Sequence, residues 1–329
     1  MAGICMYRCS NRFFKNFSIK LLRSFIHTSN GHIHRALCRL ESRGVIRLTG
    51  KDTESLLQGL VTNDVYQLQE KSPSAMYTMV LNVQGRVLYD LFLYNVSKDG
   101  IDSTVLLVDV DRKVKDELIN FLKKYRLRKK VNIEDVSDQF KVWAKWNDVP
   151  NTKDIDDQIL SFNDPRVPTL AKRILAEQET IESSSNTTEK DYRIHRYKNG
   201  IPEGVVDLPP GSCFPLESNL ALMNGVNFQK GCYVGQELTA RTFHTGVTRK
   251  RLMPIYLDST ATITSDTTIL TKANGKNAGK FRSCEGHYGL GLLRLEYIRE
   301  ELTVESIDKQ VISLKPKVPE WWPETVLTV

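Results

Sequence analysis

The sequence predicts an α+β protein: a body of the split β-α-β kind followed by a small antiparallel barrel or sheet. Three observations carry this. Up to about residue 146, runs with strand-like alternation come in neighbouring pairs, with two helix-period stretches set among them. Beyond Arg251 the helix period disappears, and short β-rich runs alternate with Asn-Gly-type turn signals. The length of 329 residues suits about two domains with a sizeable core.

The elements follow in order. The first folded region is expected to start near Arg43, with a strand over 44–48. A helix is predicted over 49–64, with Asp52 or Thr53 as cap and Leu56, Leu57, Leu60 and Val61 as its apolar stripe. Strands are expected over 75–83 and 86–96, turned by Gln84-Gly85, and another over 103–110. Residues 111–125 read as an amphipathic helix with Val114, Leu118, Phe121, Leu122 and Tyr125 inward and a Lys-rich face outward. Strands over 131–136 and 140–146 close this half.

Residues 147–160 hold the expected boundary between two halves, and short strands are expected at 159–162 and 174–175. The Ser/Thr-rich stretch 177–190 reads as a loop, and 191–198 as a helix stopped by Gly200 and Pro202. A last helix is placed from Gly235 to Gly246, the latter as a left-handed cap. The tail is expected to hold strands over 252–257, 262–271, 289–295, 302–304 and 311–314. Asn274-Gly275 and Asn277-Ala278-Gly279 mark turns, and Trp321-Trp322 is a plug for an apolar surface. The body thus spans 43–250 and the barrel 251–329.

Charge separates one further segment. The formal net charge is +7. Residues 1–40 contain no Asp or Glu but seven cations: Arg8, Arg12, Lys15, Lys20, Arg23, Arg35 and Arg39. Without these seven, the 46 Lys+Arg fall to 39, equal to the 39 Asp+Glu. The remainder is neutral in bulk and leaves no electrostatic footprint for nucleic acid. The Arg-rich, acid-free stretch 1–35 can form an amphipathic segment through Phe13, Phe14, Phe17, Leu21 and Leu22. It reads as a mitochondrial transit peptide, processed near Ile33 after the run Arg23-Ser24-Phe25-Ile26-His27-Thr28. No uncharged apolar run approaches membrane-span length. Of six cysteines, two lie in this leader, and the rest, Cys38, Cys213, Cys232 and Cys284, are scattered with no Cys-x-x-Cys pair. That excludes a locally encoded zinc site.

Two positions bear on chemistry. Lys230-Gly231-Cys232-Tyr233-Val234-Gly235-Gln236-Glu237 sets a thiol between two glycines, with Lys230, Arg241, His244 and Arg249 to Arg251 nearby in the chain. Cations and a following helix N-terminus would favour the thiolate. The residues alone admit two readings, a reactive thiol or inert core filling in a Gly-rich turn. Asp90 shares a strand face with Leu88, Phe92 and Tyr94. A carboxylate there is either a ligand-binding group with a shifted pKa or a structural one, satisfied by backbone or by an arginine such as Arg86.

The octapeptide at 230–237 resembles the motif of the YgfZ-like branch of the folate-binding glycine-cleavage T-protein superfamily. The segments 57–64, 81–90 and 238–252 support it, and the likeness covers the chain from Arg43 onward. With a matrix address, the chain is similar to the mitochondrial iron–sulfur assembly members of that branch, which also carry a transferase label. The resemblance implies a T-protein-like fold: two ferredoxin-like halves around a central channel, with a C-terminal β-barrel. It implies a tetrahydrofolate site near Asn82, Asp90 and Glu217. Asp90 matches the catalytic aspartate of T-proteins, whereas Tyr89 and Arg86 depart from their pattern and speak against aminomethyl transfer. It further implies a late role, with A-type iron–sulfur scaffold proteins, in making [4Fe–4S] clusters for client apoproteins. Cys232 would be a ligand to a cluster shared with the partner, in a motif also using Lys230, Gly231, Tyr233, Gly235, Gln236, Glu237 and Arg241. The alternative is a folate-dependent one-carbon transferase with Cys232 and Asp90 as catalytic groups.

Overall fold

The computed structural model describes residues 36–69, 74–97, 104–147, 160–177 and 187–327. The leader expected over 1–35 lies outside the described residues, as does nearly all of 147–160.

The chain enters through β1 (Ala36–Arg39) and β2 (Arg43–Thr49), then α1 (Thr53–Gln58). The hairpin of β3 (Ser74–Leu81) and β4 (Val87–Asn95) follows, then β5 (Val105–Asp111), α2 (Lys115–Arg126), β6 (Asn132–Asp135) and β7 (Phe140–Trp146). Strands β3-β4-β5-β2-β6 form an antiparallel sheet in that order. β7 instead joins β1, β8 (Leu160–Asn163) and β9 (Lys172–Glu177) in a second sheet, ordered β1-β7-β9-β8.

Alternation along the strands explains the layering. Leu106, Val108 and Val110 of β5 face Leu118 and Leu122 of α2 and Leu56 and Leu57 of α1 in one core. Leu107 of β5 and Phe92 and Tyr94 of β4 face the other way, into a core shared with Val142, Ala144 and Leu175 of the second sheet. β4 is therefore buried on both faces, which is why it reads as a near-continuous apolar run broken by Asp90.

Over the body lie α3 (Glu189–Lys198), whose Thr188/Asp191 capping box fixes its start, the short α4 (Gly204–Asp207), and α5 (Gln236–Thr245). A closed barrel follows, of β10 (Lys250–Leu257), β11 (Thr268–Thr271), β12 (Asn277–Glu285), β13 (Tyr288–Arg294), β14 (Leu302–Glu305) and β15 (Val311–Pro316). Its order is β10-β13-β12-β11-β14-β15, sealed by the β10–β15 pair, so no strand edge is left open. Trp322 fills its core, and Trp321 donates from Nε1 to Asn199 O at 2.7 Å, so the expected plug does seat here. Ser283 Oγ donates to Asp207 Oδ1 (2.8 Å) and Asn219 Nδ2 to Leu252 O (2.6 Å), tying barrel to body.

Several expectations are corrected. A strand, β1, already lies ahead of the start expected near Arg43, because it pairs with β7. The helix expected over 49–64 is only α1, since Val61 leaves it to bridge Val80 of β3, followed by a 3-10 turn at Val65–Gln69. Gly246 is extended (φ −104°, ψ 176°), not left-handed; the left-handed glycine is Gly235, at the other end of α5 (φ +80°). The strand expected over 262–271 keeps only β11, and Asn277-Ala278-Gly279 opens a strand instead of turning. At Gly279 a Cβ would lie 2.1 Å from Leu292 O, so close strand approach is what requires glycine there.

Candidate functional site

The octapeptide forms a loop that locks onto the C-terminal end of α1 and the β3–β4 turn. Lys230 does most of the locking. Its side chain runs inward, and Nζ donates to Gln58 O (2.8 Å), Val61 O (2.7 Å) and Asn63 O (2.8 Å). A cation there satisfies carbonyls that the end of a helix leaves free. Burial pushes the Lys230 ammonium down to about 8, against a smaller opposing pull from Asp64. Val234 N–H donates to Gly59 O (3.1 Å), and Tyr233 is buried, which raises its phenol to about 12.

Gly235 abuts the β3–β4 turn: a Cβ on it would sit 2.3 Å from Asn82 O and 2.8 Å from Leu81 Cβ. Asn82 shapes that turn, its Oδ1 accepting from Gln84 N–H (3.0 Å) and Arg86 N–H (2.9 Å). Phe228, on the approach to the motif, stacks on Phe243 of α5 at 3.6 Å with rings 9° apart, and His244 meets both edge-on.

Cys232 is exposed, as is Gly231 beside it. The core-filling reading therefore fails on geometry. The electrostatic expectation changes too: the Lys230 ammonium is spent on three carbonyls, and Arg241 pairs with Glu237 one turn away (2.8 Å). Among the described residues, no group of three or more His, Cys, Asp or Glu is placed to hold a metal ion.

Asp90 lies elsewhere, inside the body. It is 3% exposed; its Oδ1 accepts from Gly204 N–H (3.1 Å), and its Oδ2 lies 3.5 Å from Arg43 Nη1. The arginine beside it is thus Arg43, not Arg86, which donates to Ser212 O and lies 4.3 Å over the Phe214 ring. Around Asp90 runs a buried ion network. Asp109 takes Arg43 (2.5 Å) and Arg173, Glu203 takes Arg173 (2.9 Å) and Arg166 (2.8 Å), and Asp164 takes Arg166 (2.7 Å). The three guanidiniums pack around the Phe92 ring, 3.7–5.6 Å from its centre. Four carboxyls thus face three arginines, and Asp90 Oδ2 and Arg43 Nη1 make no hydrogen bond. Burial raises the Asp90 carboxyl above its ordinary range, against the pull of Arg43, while Glu203 is held well below the usual carboxylate range by Arg173 and Arg166 against its own burial.

Glu217 occupies a third place. It lines a cleft of about 550 Å³ with Phe214, Leu238, Thr242, Thr245 and Lys250. Burial raises its carboxyl as well, with Lys250 and Arg86 opposing. The volume is that of a small-molecule site. The structure does not gather Asn82, Asp90 and Glu217 around this cleft: Asn82 shapes a turn and Asp90 is enclosed in the ion network. What sequence reasoning missed is that network, because Arg43, Arg166 and Arg173 come from distant segments; only Asp90 on its apolar face signalled it.

The fold and barrel define the class. Residues 249–324 match the family model described as CAF17, C-terminal beta-barrel domain. The chain resembles the crystal structure of glycine cleavage system aminomethyltransferase T from Bartonella henselae, with a TM-score of 0.66 over 88% of this chain and 86% of that one. At 12% identity this establishes an aminomethyltransferase-like fold. Closer in sequence are two proteins named iron-sulfur cluster assembly factor IBA57, mitochondrial. The human one is 41% identical over 310 residues (88% of this chain, 85% of that protein) and the mouse one 39% over 304 (87% and 85%). A homolog from Mycosarcoma maydis is 36% identical over 342 residues (87% and 85%). The chain belongs to the IBA57 family of mitochondrial iron–sulfur cluster assembly factors.

Proposed function

We propose that this chain acts late in iron–sulfur biogenesis in the mitochondrial matrix, with A-type scaffold proteins, in making [4Fe–4S] clusters for client apoproteins. Cys232 supplies one thiolate to a cluster whose other ligands come from the partner. Thiolate is the ligand type that iron–sulfur clusters prefer. The carrying observation is the placement of Cys232: exposed on a loop whose backbone is held by Lys230, Val234 and Gly235, with no second ligand set among the described residues. Joining [2Fe–2S] units is a reductive coupling, and its electrons come from a reductant outside this chain. Cys232→Ser tests the reading. Mixed with a cluster-loaded A-type scaffold, the parent should give a bridged complex with its own visible spectrum, and the variant should leave the scaffold spectrum unchanged at unaltered melting temperature. A variant that forms the same complex would sink the role.

The cleft at Glu217 favours a second reading, in which a tetrahydrofolate binds there for one-carbon transfer. Size and a half-buried carboxyl suit a pterin-like ligand. The residues do not suit aminomethyl transfer, because Asp90 is enclosed by Arg43 and Gly204 and does not line the cleft. Titration with tetrahydrofolates separates binding from chemistry: binding without turnover fits the assembly reading, and turnover lost in Asp90→Asn fits the transferase.

A further inference from the structure

Residues 123–130, Lys-Lys-Tyr-Arg-Leu-Arg-Lys-Lys, end α2 and take no part in the site described above. Lys123, Lys124, Arg128, Lys129 and Lys130 are all exposed. In their midst Leu127 is 85% exposed and held at φ +48°, ψ −114°. A leucine gains nothing from such a place in water, and a non-glycine residue at positive φ is strained. The backbone beneath is nonetheless fixed. Lys130 N–H donates to Asp52 Oδ2 (2.7 Å), Lys129 Nζ to Ser55 Oγ (2.8 Å) and Arg126 Nη1 to Val131 O (3.2 Å). Tyr125 anchors the helix end against Phe121 at 4.6 Å. A Cβ on Gly50 would fall 2.3 Å from Lys130 O, so this segment is pressed close onto the turn before α1.

A protruding apolar side chain ringed by cations fits one kind of surface: anionic outside and hydrocarbon within. Phosphodiester chains would meet the cations, but a leucine offers a base neither stacking nor hydrogen bonds. We propose that residues 123–130 dock the protein on a membrane rich in anionic phospholipid, with the five cations against phosphates and Leu127 sunk below the headgroups. This is a surface attachment; among the described residues no helix is long and apolar enough to cross a membrane. It stands independently of the cluster role. Lys130 N–H meets Asp52 at the N-cap of α1 and Lys230 meets Gln58 at its C-terminal end, so about 9 Å of helix separates these two attachment points.

Vesicle flotation tests it, using both the full chain and the chain from Ile33, which carries every described element. The probes are phosphatidylcholine vesicles with and without phosphatidylglycerol. The parent should float only with the anionic vesicles, and less so in high salt. Each cation contributes about fivefold near the surface, so Lys123→Gln/Arg128→Gln/Lys130→Gln should weaken binding about a hundredfold. Leu127→Gly should weaken it about tenfold while melting no lower than the parent, since glycine accepts the positive φ. The proposal is overturned if the parent from Ile33 does not float, if either variant floats like the parent, or if an RNA oligonucleotide binds more tightly than the vesicles.

Discussion

Two glycines of the octapeptide should respond very differently to the same substitution. At Gly235 alanine meets two penalties. The left-handed backbone costs a residue with a Cβ about 1–2 kcal/mol. The new methyl would also sit 2.3 Å from Asn82 O and 2.8 Å from Leu81 Cβ, both fixed by the β3–β4 turn. Overpacking against such neighbours costs about 1–3 kcal/mol. Gly235→Ala should therefore lose about 2–5 kcal/mol, or about 3–7 °C in melting temperature for a chain of this size. At Gly231 no atom lies within 4 Å of a Cβ and φ is not positive, so Gly231→Ala should stay within about 0.5 kcal/mol of the parent. Denaturant unfolding followed by circular dichroism measures both. Parent-like stability in Gly235→Ala, or an equal loss in Gly231→Ala, would refute the claim that Gly235 is required for close approach to the turn.

Lys230→Met should cost about 2–4 kcal/mol, because each hydrogen bond to a charged group is worth about 1.5–3 kcal/mol and relief from burying an ammonium offsets part of the loss. Hydrogen exchange should quicken at Val234, whose N–H rests on Gly59 O, and unchanged protection there would contradict the locking role. Glu203→Gln should cost about 3–5 kcal/mol at neutral pH by leaving Arg166 and Arg173 short of a countercharge. Its pH signature has a definite sign. The folded carboxyl is held below its ordinary 4.5, so its contribution is complete above that value and is lost as pH falls, when the unfolded chain binds the extra proton. Unfolding measured on both sides of pH 4.5 should show the parent declining more steeply than the variant, and parallel declines would count against it.

Periodicity made most of the body legible, since β3, β4, β5, α2 and β7 each bury one recognisable face or both. It failed where a distant partner decided the outcome. β1 is four residues long, lies in an Arg-rich stretch, and exists because β7 offers it an edge. The stripe Leu56, Leu57, Leu60, Val61 looks like one helix, yet Val61 goes to Val80 because a strand pair outweighs further turns of an isolated helix. Asn277-Ala278-Gly279 has turn composition, but Gly279 serves close packing against β13. Composition names the residue a tight place needs without saying which kind of tight place it is.

The same limit governs the site. Chain proximity set Lys230 beside Cys232 as an activating cation; in space its ammonium donates to Gln58 O, Val61 O and Asn63 O at and just past the end of α1. The charge nearest in sequence thus builds the platform. The octapeptide divides its labour accordingly. Lys230, Tyr233, Val234 and Gly235 fix the loop against α1 and the β3–β4 turn, and Gly231 and Cys232 are left outside it. Under the proposed cluster role, a thiol so presented, with no group of metal ligands beside it among the described residues, would take its further ligands from the partner that docks on it. On that proposal, spacings within one chain could not name the partner's ligands, whereas the rigidity of the platform is already written in Lys230 and Gly235.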